Sequence, residues 1–388
     1  MTEKLYYQDT YCREFEALVT ACEEGKSRFG VVLDRTAFYP EGGGQPGDTG
    51  YLHVCGEGET VKVLDTHEKN GEVVHYTDRP LEAGVKVRGK IDWQHRMDLM
   101  QNHSGEHIVS GLIHEKFGYE NVGFHMGKDM ITIDLNGEFT AEDMREIERR
   151  ANQVVWENVP VQICNYTEEE VKTVEYRSKK ELHGSIRIVT FPGADVCACC
   201  GTHVKNTGEI GLIKLISLQK FKGGMRMEML CGRKAYLYVE HICSQNQQIS
   251  VALSAKPMET AAAVERLKTA AADTAYRLAG LEEKLFEEKA ACLTGKGDVL
   301  LFEENLSADS VRRLAAAVME TCGGRCVVCS GTDEAGYKYA IGEKDGDLRE
   351  TVKEFNTVCS GRGGGKPFFV QGSVNTGRAE IEEFWKNR

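Results

Sequence analysis

The chain has 388 residues, 41% of them apolar and 28% charged, and a net charge of −12. At roughly 150 residues per domain this length predicts two to three domains, with material for more than one hydrophobic core. No apolar run approaches the ~20 residues of a membrane helix, and Met1-Thr2-Glu3-Lys4-Leu5 lacks the basic-then-apolar pattern of an export signal. The acidic balance argues against a generally basic nucleic-acid coat but leaves room for a local basic patch. Fourteen cysteines without an export signal predict reduced thiols and a cytoplasmic protein.

Residues 1–90 read as β-rich. Gly30-Val31-Val32-Leu33, Tyr51-Leu52-His53-Val54, Val61-Lys62-Val63-Leu64 and Val73-Val74-His75-Tyr76 are short, partly alternating runs separated by turn residues. Such spacing predicts a small barrel or sandwich. Residues 91–240 mix helix and strand. Met100, Ile108 and Leu112 mark a helix over Met97–Phe117, and Ile131–Leu135 alternates as a strand. Thr140-Ala141-Glu142-Asp143 is a capping box opening a helix with Met144, Ile147, Ala151 and Val155 on one face. In residues 241–295, Val264, Leu267, Ala271, Thr274, Leu278, Leu281 and Leu285 follow a three-four spacing among glutamates and lysines. That is a long helix or helical hairpin with a coiled-coil-like seam, serving self-association, a spacer or docking on its own domain. Residues 296–388 alternate strand and helix as a compact α/β domain, with a helix over Asp347–Val358 leading into Gly361-Arg362-Gly363-Gly364-Gly365-Lys366.

Five features carry chemistry. His103-Ser104-Gly105-Glu106-His107 places two histidines one helical turn apart, a pair able to share a metal ion. Ser104 stands where a zincin needs glutamate, which excludes a metalloprotease, and Glu106 is expected to face solvent. Cys197-Ala198-Cys199-Cys200-Gly201-Thr202-His203 repeats the four-residue spacing between Cys199 and His203, and thiolate with imidazoles favours zinc. Cys197 reads as a small buried apolar group. Tyr39-Pro40-Glu41-Gly42-Gly43-Gly44-Gln45-Pro46-Gly47-Asp48 is either a tight inter-strand loop or a backbone surface that ribose or phosphate can approach. Gly361–Lys366 is either a plain loop or a phosphate contact through N–H groups and the cations of Arg362 and Lys366. Residues 205–234 reverse the local charge through Lys205, Lys214, Lys220, Lys222, Arg226, Arg233 and Lys234, opposed in sequence by Glu209 and Glu228 alone. This is a candidate phosphate-backbone footprint beside Cys199 and His203.

Together these residues resemble the free-standing alanyl-tRNA editing proteins in their long form, relatives of the editing region of alanyl-tRNA synthetase. The resemblance runs through Phe38–Gly50, Asp92-Trp93 to His107, Cys199–Gly211 and Gly361–Gly372, the last resembling the DHHA1 domain. It implies an α+β chain of four parts: a glycine-motif β-barrel (1–90), a zinc-containing editing domain (91–240), a helical connector (241–295) and a DHHA1-like domain (296–388). It implies one zinc ion on His103, His107, Cys199 and His203. Gly42, Gly43, Gly44 and Gln45 would lie near the mouth of the editing site. Gly361, Arg362, Gly363, Gly364, Gly365 and Lys366 would belong to a tRNA-contacting or dimer-forming domain. Two departures stand out. Cys200 replaces the first glycine of the synthetases' C-G-G-T-H, and Val122–Gly127 replaces their V-S-Q-K-G stretch, leaving Phe124 and His125 as pocket candidates. With the barrel beginning near residue 1, no aminoacylation is expected.

The implied reaction is hydrolysis of the ester joining serine, or glycine, to tRNA(Ala). An activation pocket rejects an added hydroxyl only about 10²-fold, whereas a site that hydrogen-bonds that hydroxyl rejects alanine more strongly. Thr202 and Gln45 are candidate readers, and Lys220, Lys222 and Arg226 candidate tRNA contacts. Four protein ligands would make the zinc structural, whereas a loose ligand would let it act on water or anchor the terminal adenosine. Rival readings are a Ser-tRNA(Thr) deacylase, a zinc esterase or amidase for a small metabolite, and a non-catalytic RNA-binding protein with structural zinc.

Overall fold

The computed structural model describes residues 1–56, 58–127, 129–178 and 184–386. The chain divides into two compact units, Met1–Gln245 and Asn246–Arg388.

The first unit begins with β1 (Glu3–Lys4), α1 (Leu5–Gln8), β2 (Glu14–Glu24), β3 (Phe29–Leu33), β4 (Arg35–Thr36), β5 (Gly50–Val54), β6 (Thr60–Lys69), β7 (Glu72–Thr77) and β8 (Lys86–Ile91). Six of these strands close a barrel in the order β2-β3-β7-β6-β5-β8, so the barrel alternative holds. Alternate residues such as Phe15, Val19, Leu33, Leu52, Val63 and Val87 fill its interior, as the two-residue period of a strand requires. β2 and β8 escaped the reading of short apolar runs because charged residues such as Glu14, Glu16, Lys86, Arg88 and Lys90 interrupt them at outward positions.

Helix α2 (Trp93–Phe117) follows, capped by the Asp92 carboxylate on the His95 N–H (3.1 Å) and ended by Gly118 at φ 71°. It starts four residues earlier than the apolar spacing marked. Beyond it lie β9 (Asn121–Met126), β10 (Ile131–Leu135), α3 (Ala141–Glu157), β11 (Gln162–Tyr166), β12 (Ile186–Phe191), β13 (Asp195–Ala198), β14 (Ile213–Phe221) and β15 (Gly224–Cys231). The α3 capping box forms as expected, Thr140 and Asp143 bonding each other's backbone N–H. The antiparallel sheets β14-β15-β10-β9 and β11-β12-β13 contribute to one core with α2 and α3. Because α2 packs against α3, β9, β13 and β15, nearly every side chain from Leu99 to Ile113 is buried. Gly111 permits one of these approaches: a Cβ there would lie 2.2 Å from the Ala194 carbonyl and 2.6 Å from Asp195 Cβ.

Helix α4 (Gly232–Ala252) leads into the second unit, which holds α5 (Thr260–Cys292), β16 (Gly297–Glu303), α6 (Ala308–Cys322), β17 (Gly323–Thr332), β18 (Gly336–Gly342), α7 (Arg349–Val358), β19 (Arg362–Lys366), β20 (Phe369–Val374) and α8 (Arg378–Lys386). The strands form one sheet, β16-β17-β18-β20-β19, with β16 and β17 parallel and the rest antiparallel. One core gathers Tyr339, Phe355 and Val370; another gathers Phe286, Leu314 and Val318. Thus α5 docks its C-terminal end through Phe286 and Ala290. The expected seam itself stays open: Leu267 is 58% and Leu281 66% exposed.

The Gly361–Lys366 motif is not a loop. From Arg362 onward it is the exposed edge strand β19, paired through its length with β20. A Cβ on Gly363 would sit 2.2 Å from the Tyr339 hydroxyl, so the glycine run lets the strand lie against a tyrosine. No described helix is long and apolar enough to cross a membrane.

Candidate metal centre

Helix periodicity sets His103 and His107 on one side of α2, and the chain after β13 brings Cys199 and His203 against them. The donor atoms of the four residues all lie within 4.8 Å of one another. Cys199 Sγ is 3.5 Å from His103 Nε2 and 3.4 Å from His203 Nε2. A tetrahedral zinc ion with bonds of about 2.0–2.3 Å needs donors about 3.3–3.7 Å apart, so the two Cys199 separations suit such an ion and the four residues together could hold one.

Each imidazole has a partner on its far nitrogen. His103 Nδ1 faces Gln45 Oε1 at 2.9 Å, His107 Nδ1 faces Asp195 Oδ2 at 2.8 Å, and His203 Nδ1 faces Ser104 Oγ at 3.3 Å. This is how metal-binding histidines are oriented, with the free Nε2 turned inward. Arg177 in turn holds Asp195 through two bonds of 2.8 and 3.0 Å. Burial opposes charge on Asp195, but the hydrogen bonds and charges of His107 and Arg177 keep its carboxyl below 3.8. Burial alone would raise the Cys199 thiol, yet His103, His203 and His107 together hold it well below 9.0. A thiolate is the form that ligates metal.

The glycine-rich loop supplies one of these partners. Asp48, fully buried, accepts from Arg96 Nε of α2 at 2.9–3.0 Å and from the Tyr39 N–H at 2.6 Å. Arg96 also donates to the Ala37 carbonyl at 2.7 Å, so one buried ion pair clamps both ends of the loop to the helix. Gly43 and Gly44 turn the chain at φ 61° and 86°, delivering Gln45 to His103. A Cβ on Gly44 would strike Phe124 at 2.7 Å, and Phe124 stacks on His103 with centroids 5.4 Å apart. A cleft of about 280 Å³ opens over His103, His107 and Cys199, lined also by Gly43, Glu106, Phe124, Arg177 and Cys200.

Comparison with known proteins places this geometry. The family model of tRNA synthetases class II (A) matches residues 2–95, that of the threonyl and alanyl tRNA synthetase second additional domain residues 186–227, and the DHHA1 domain residues 294–387. The alanyl-tRNA editing protein AlaX-L of Pyrococcus horikoshii is 31% identical over 98% of this chain and 96% of its own length. The chain belongs to the alanyl-tRNA editing proteins. As a member of that family it is an aminoacyl-tRNA deacylase, a hydrolase. The shorter editing protein AlaX-M of Methanosarcina acetivorans is 38% identical over 58% of this chain. The alanine–tRNA ligase of Halobacterium salinarum is 36% identical over 96% of this chain, which spans 42% of that protein.

In this editing protein the expected site residues separate into groups. Gly42 and Gln45 close the loop through a mutual bridge, and Gly43 and Phe124 line the cleft. His125, next along β9, is exposed, as strand alternation dictates. Gln45 and Thr202 are fully buried and bonded to each other (2.8 Å), and Gln45 also bonds His103, so they orient the donors rather than line the cleft as hydroxyl readers. Cys200 is exposed and lies outside the donor set. Cys197 is buried, as expected of a small apolar group, and its thiol also lies within 4.8 Å of donor atoms of His107 and Asp195. Glu106 is not a surface residue: it is 4% exposed, because α2 is covered on more than one side.

The basic stretch is largely neutralised by acids that are distant in sequence. Lys205 pairs with Asp9 (3.1 Å), Lys214 with Glu148 (2.7 Å), Lys220 with Glu138 (2.9 Å), Arg226 with Asp134 (2.6 Å) and Arg233 with Asp98. Lys222 stands in the turn between β14 and β15, its ammonium 5.0 Å from the Phe221 ring. Sequence reasoning missed Asp195, Arg177 and the Asp48–Arg96 clamp. Asp195 lies four residues before Cys199, and an acid so close to a candidate ligand was the available signal.

Proposed function

We propose that this chain edits in trans, hydrolysing the ester that joins serine, and secondarily glycine, to tRNA(Ala), at a site holding one zinc ion on His103, His107, Cys199 and His203. The observation that carries this reading is the convergence of those four donors, three of which (His103, His107 and Cys199) line a cleft, in an editing-family fold. A zinc ion there would supply Lewis acidity or an anchoring contact at the ester. The chain's own residues do the rest. Gln45, Asp195 and Ser104 fix the three imidazoles, so little reorganisation accompanies binding. Phe124, stacked over His103, walls one side of the cleft and limits water.

The proposed division of labour follows the four segments 1–90, 91–240, 241–295 and 296–388, with barrel and editing domain building the site. Arg362 and Lys366 on exposed β19, together with Lys222, are the proposed tRNA contacts. Val264, Leu267, Leu278, Leu281 and Leu285, exposed along α5, support a homodimer through that helix. The reading places the protein in the cytoplasm, with its substrate.

The test is deacylation of seryl-tRNA(Ala), glycyl-tRNA(Ala) and seryl-tRNA(Thr) by the wild-type chain and by His103→Ala, with metal content measured alongside. Cleavage of the tRNA(Ala) esters, lost in the variant, supports the proposal. Preference for seryl-tRNA(Thr) would move it to the threonine branch, and metal-loaded protein that leaves all three esters intact would overturn it.

A further inference from the structure

We infer that Tyr7 and Arg187 receive the terminal adenosine of the RNA, the Tyr7 ring stacking on the base and Arg187 facing its phosphate. The inference rests on the editing reading above and names the residues that hold the acylated nucleotide. Consecutive positions of a helix point about 100° apart. On α1, Tyr6 accordingly enters the core, fully buried, while Tyr7 stays 44% exposed. The two rings meet edge-on with centroids 4.6 Å apart, which fixes the outer one. Tyr6 also packs on Tyr39, centroids 5.3 Å apart, at the start of the glycine-rich loop.

Arg187 is tied to the donor cluster twice: its Nη1 donates to the Cys199 carbonyl at 2.6 Å, and its own carbonyl accepts from the Cys199 N–H at 3.0 Å. Among the described residues no carboxylate pairs with its guanidinium. The guanidinium carbon lies 5.5 Å from the Tyr7 ring centre. Burial and the neighbouring Cys200 push the Tyr7 hydroxyl up to about 12, with Arg187 opposing them, and Cys200 lines the cleft. An exposed aromatic ring beside a guanidinium is the chemistry that holds an unpaired base and its backbone. One sugar separates an ester on the terminal ribose from the base. An ester over the donors therefore leaves its base at the rim, on the side of Cys199 and Cys200 where Tyr7 stands.

The test measures binding of the full-length protein to two unacylated acceptor-stem RNAs of tRNA(Ala) by fluorescence anisotropy. One ends in C-C-A; the other ends in an abasic ribose, which keeps the sugar and phosphate. Wild type is expected to bind the first about 5- to 150-fold more tightly, the scale of one stacked base. Tyr7→Phe should keep that preference and Tyr7→Ala lose it, with metal content unchanged in both. Arg187→Gln keeps a donor for the Cys199 carbonyl but removes the charge. It should weaken both RNAs alike and reduce the slope of log K against log salt by about one. A preference for the base that survives in Tyr7→Ala, or wild type that binds both RNAs equally, overturns the inference, and an unchanged salt slope in Arg187→Gln overturns the phosphate contact. Wild-type protein that leaves seryl-tRNA(Ala) intact would instead remove the editing reading and this inference with it.

Discussion

Two glycine runs, Gly42–Gly44 and Gly363–Gly365, look alike in sequence and differ in structure. The first turns at positive φ, is clamped by Asp48 and Arg96, and ends in a glutamine that orients His103. The second is an extended, exposed strand whose glycines accommodate the Tyr339 hydroxyl and the backbone of β20. A glycine run therefore signals close approach, and what approaches decides its meaning: a cleft beside a donor cluster in one unit, a sheet edge in the other.

The contrast can be broken most forcefully at the donors. His103→Ala or Cys199→Ala should cost bound metal and at least about 100-fold in deacylation, while Arg362→Ala should keep full metal content. A variant of the donor set that retains metal, measured by elemental analysis, would contradict the assignment.

Acid should divide the units next. All 11 histidines lie between His53 and His241, none in the second unit. His75, enclosed in the barrel between the Val31 carbonyl and Thr36, is pushed by burial from 6.5 down to about 4. Its unfolded form takes a proton first, so stability falls as pH drops from 6.5 towards 4 and levels off below, by about 3 kcal/mol in all. Denaturant melts of wild type and His75→Gln across that window should show the loss in wild type and flatten in the variant. Equal slopes would refute it.

Gln45→Ala tests the link from loop to donor. It should weaken metal binding about 10- to 100-fold, the usual effect of removing an orienting partner, measured by chelator competition. The smallest effects separate neighbouring glycines. Gly363→Ala meets the Tyr339 hydroxyl and should destabilise the second unit by about 1–3 kcal/mol. Gly364→Ala points into open space and should be neutral or stabilise by about 0.4–1 kcal/mol, as read by thermal melts.

The donors were legible because helical spacing and the Cys199–His203 repeat are local facts. The barrel was legible from strand-length apolar runs, apart from β2 and β8 with their charged outer faces. What stayed hidden depended on long-range approach. Asp195 reaches His107 because Gly111 lets the β12–β13 turn close on α2. Glu106 is buried because several elements cover that helix, which periodicity on a single face does not anticipate. The basic stretch looked unopposed because Glu138, Glu148, Asp134, Asp98 and Asp9 lie far away in sequence.

The most direct measurement titrates metal out of the wild-type protein and back in while following seryl-tRNA(Ala) deacylation in the same samples. The account predicts one divalent ion per chain, with activity falling and returning in proportion to it. Full activity in metal-free protein, or none with one ion bound per chain, would contradict it.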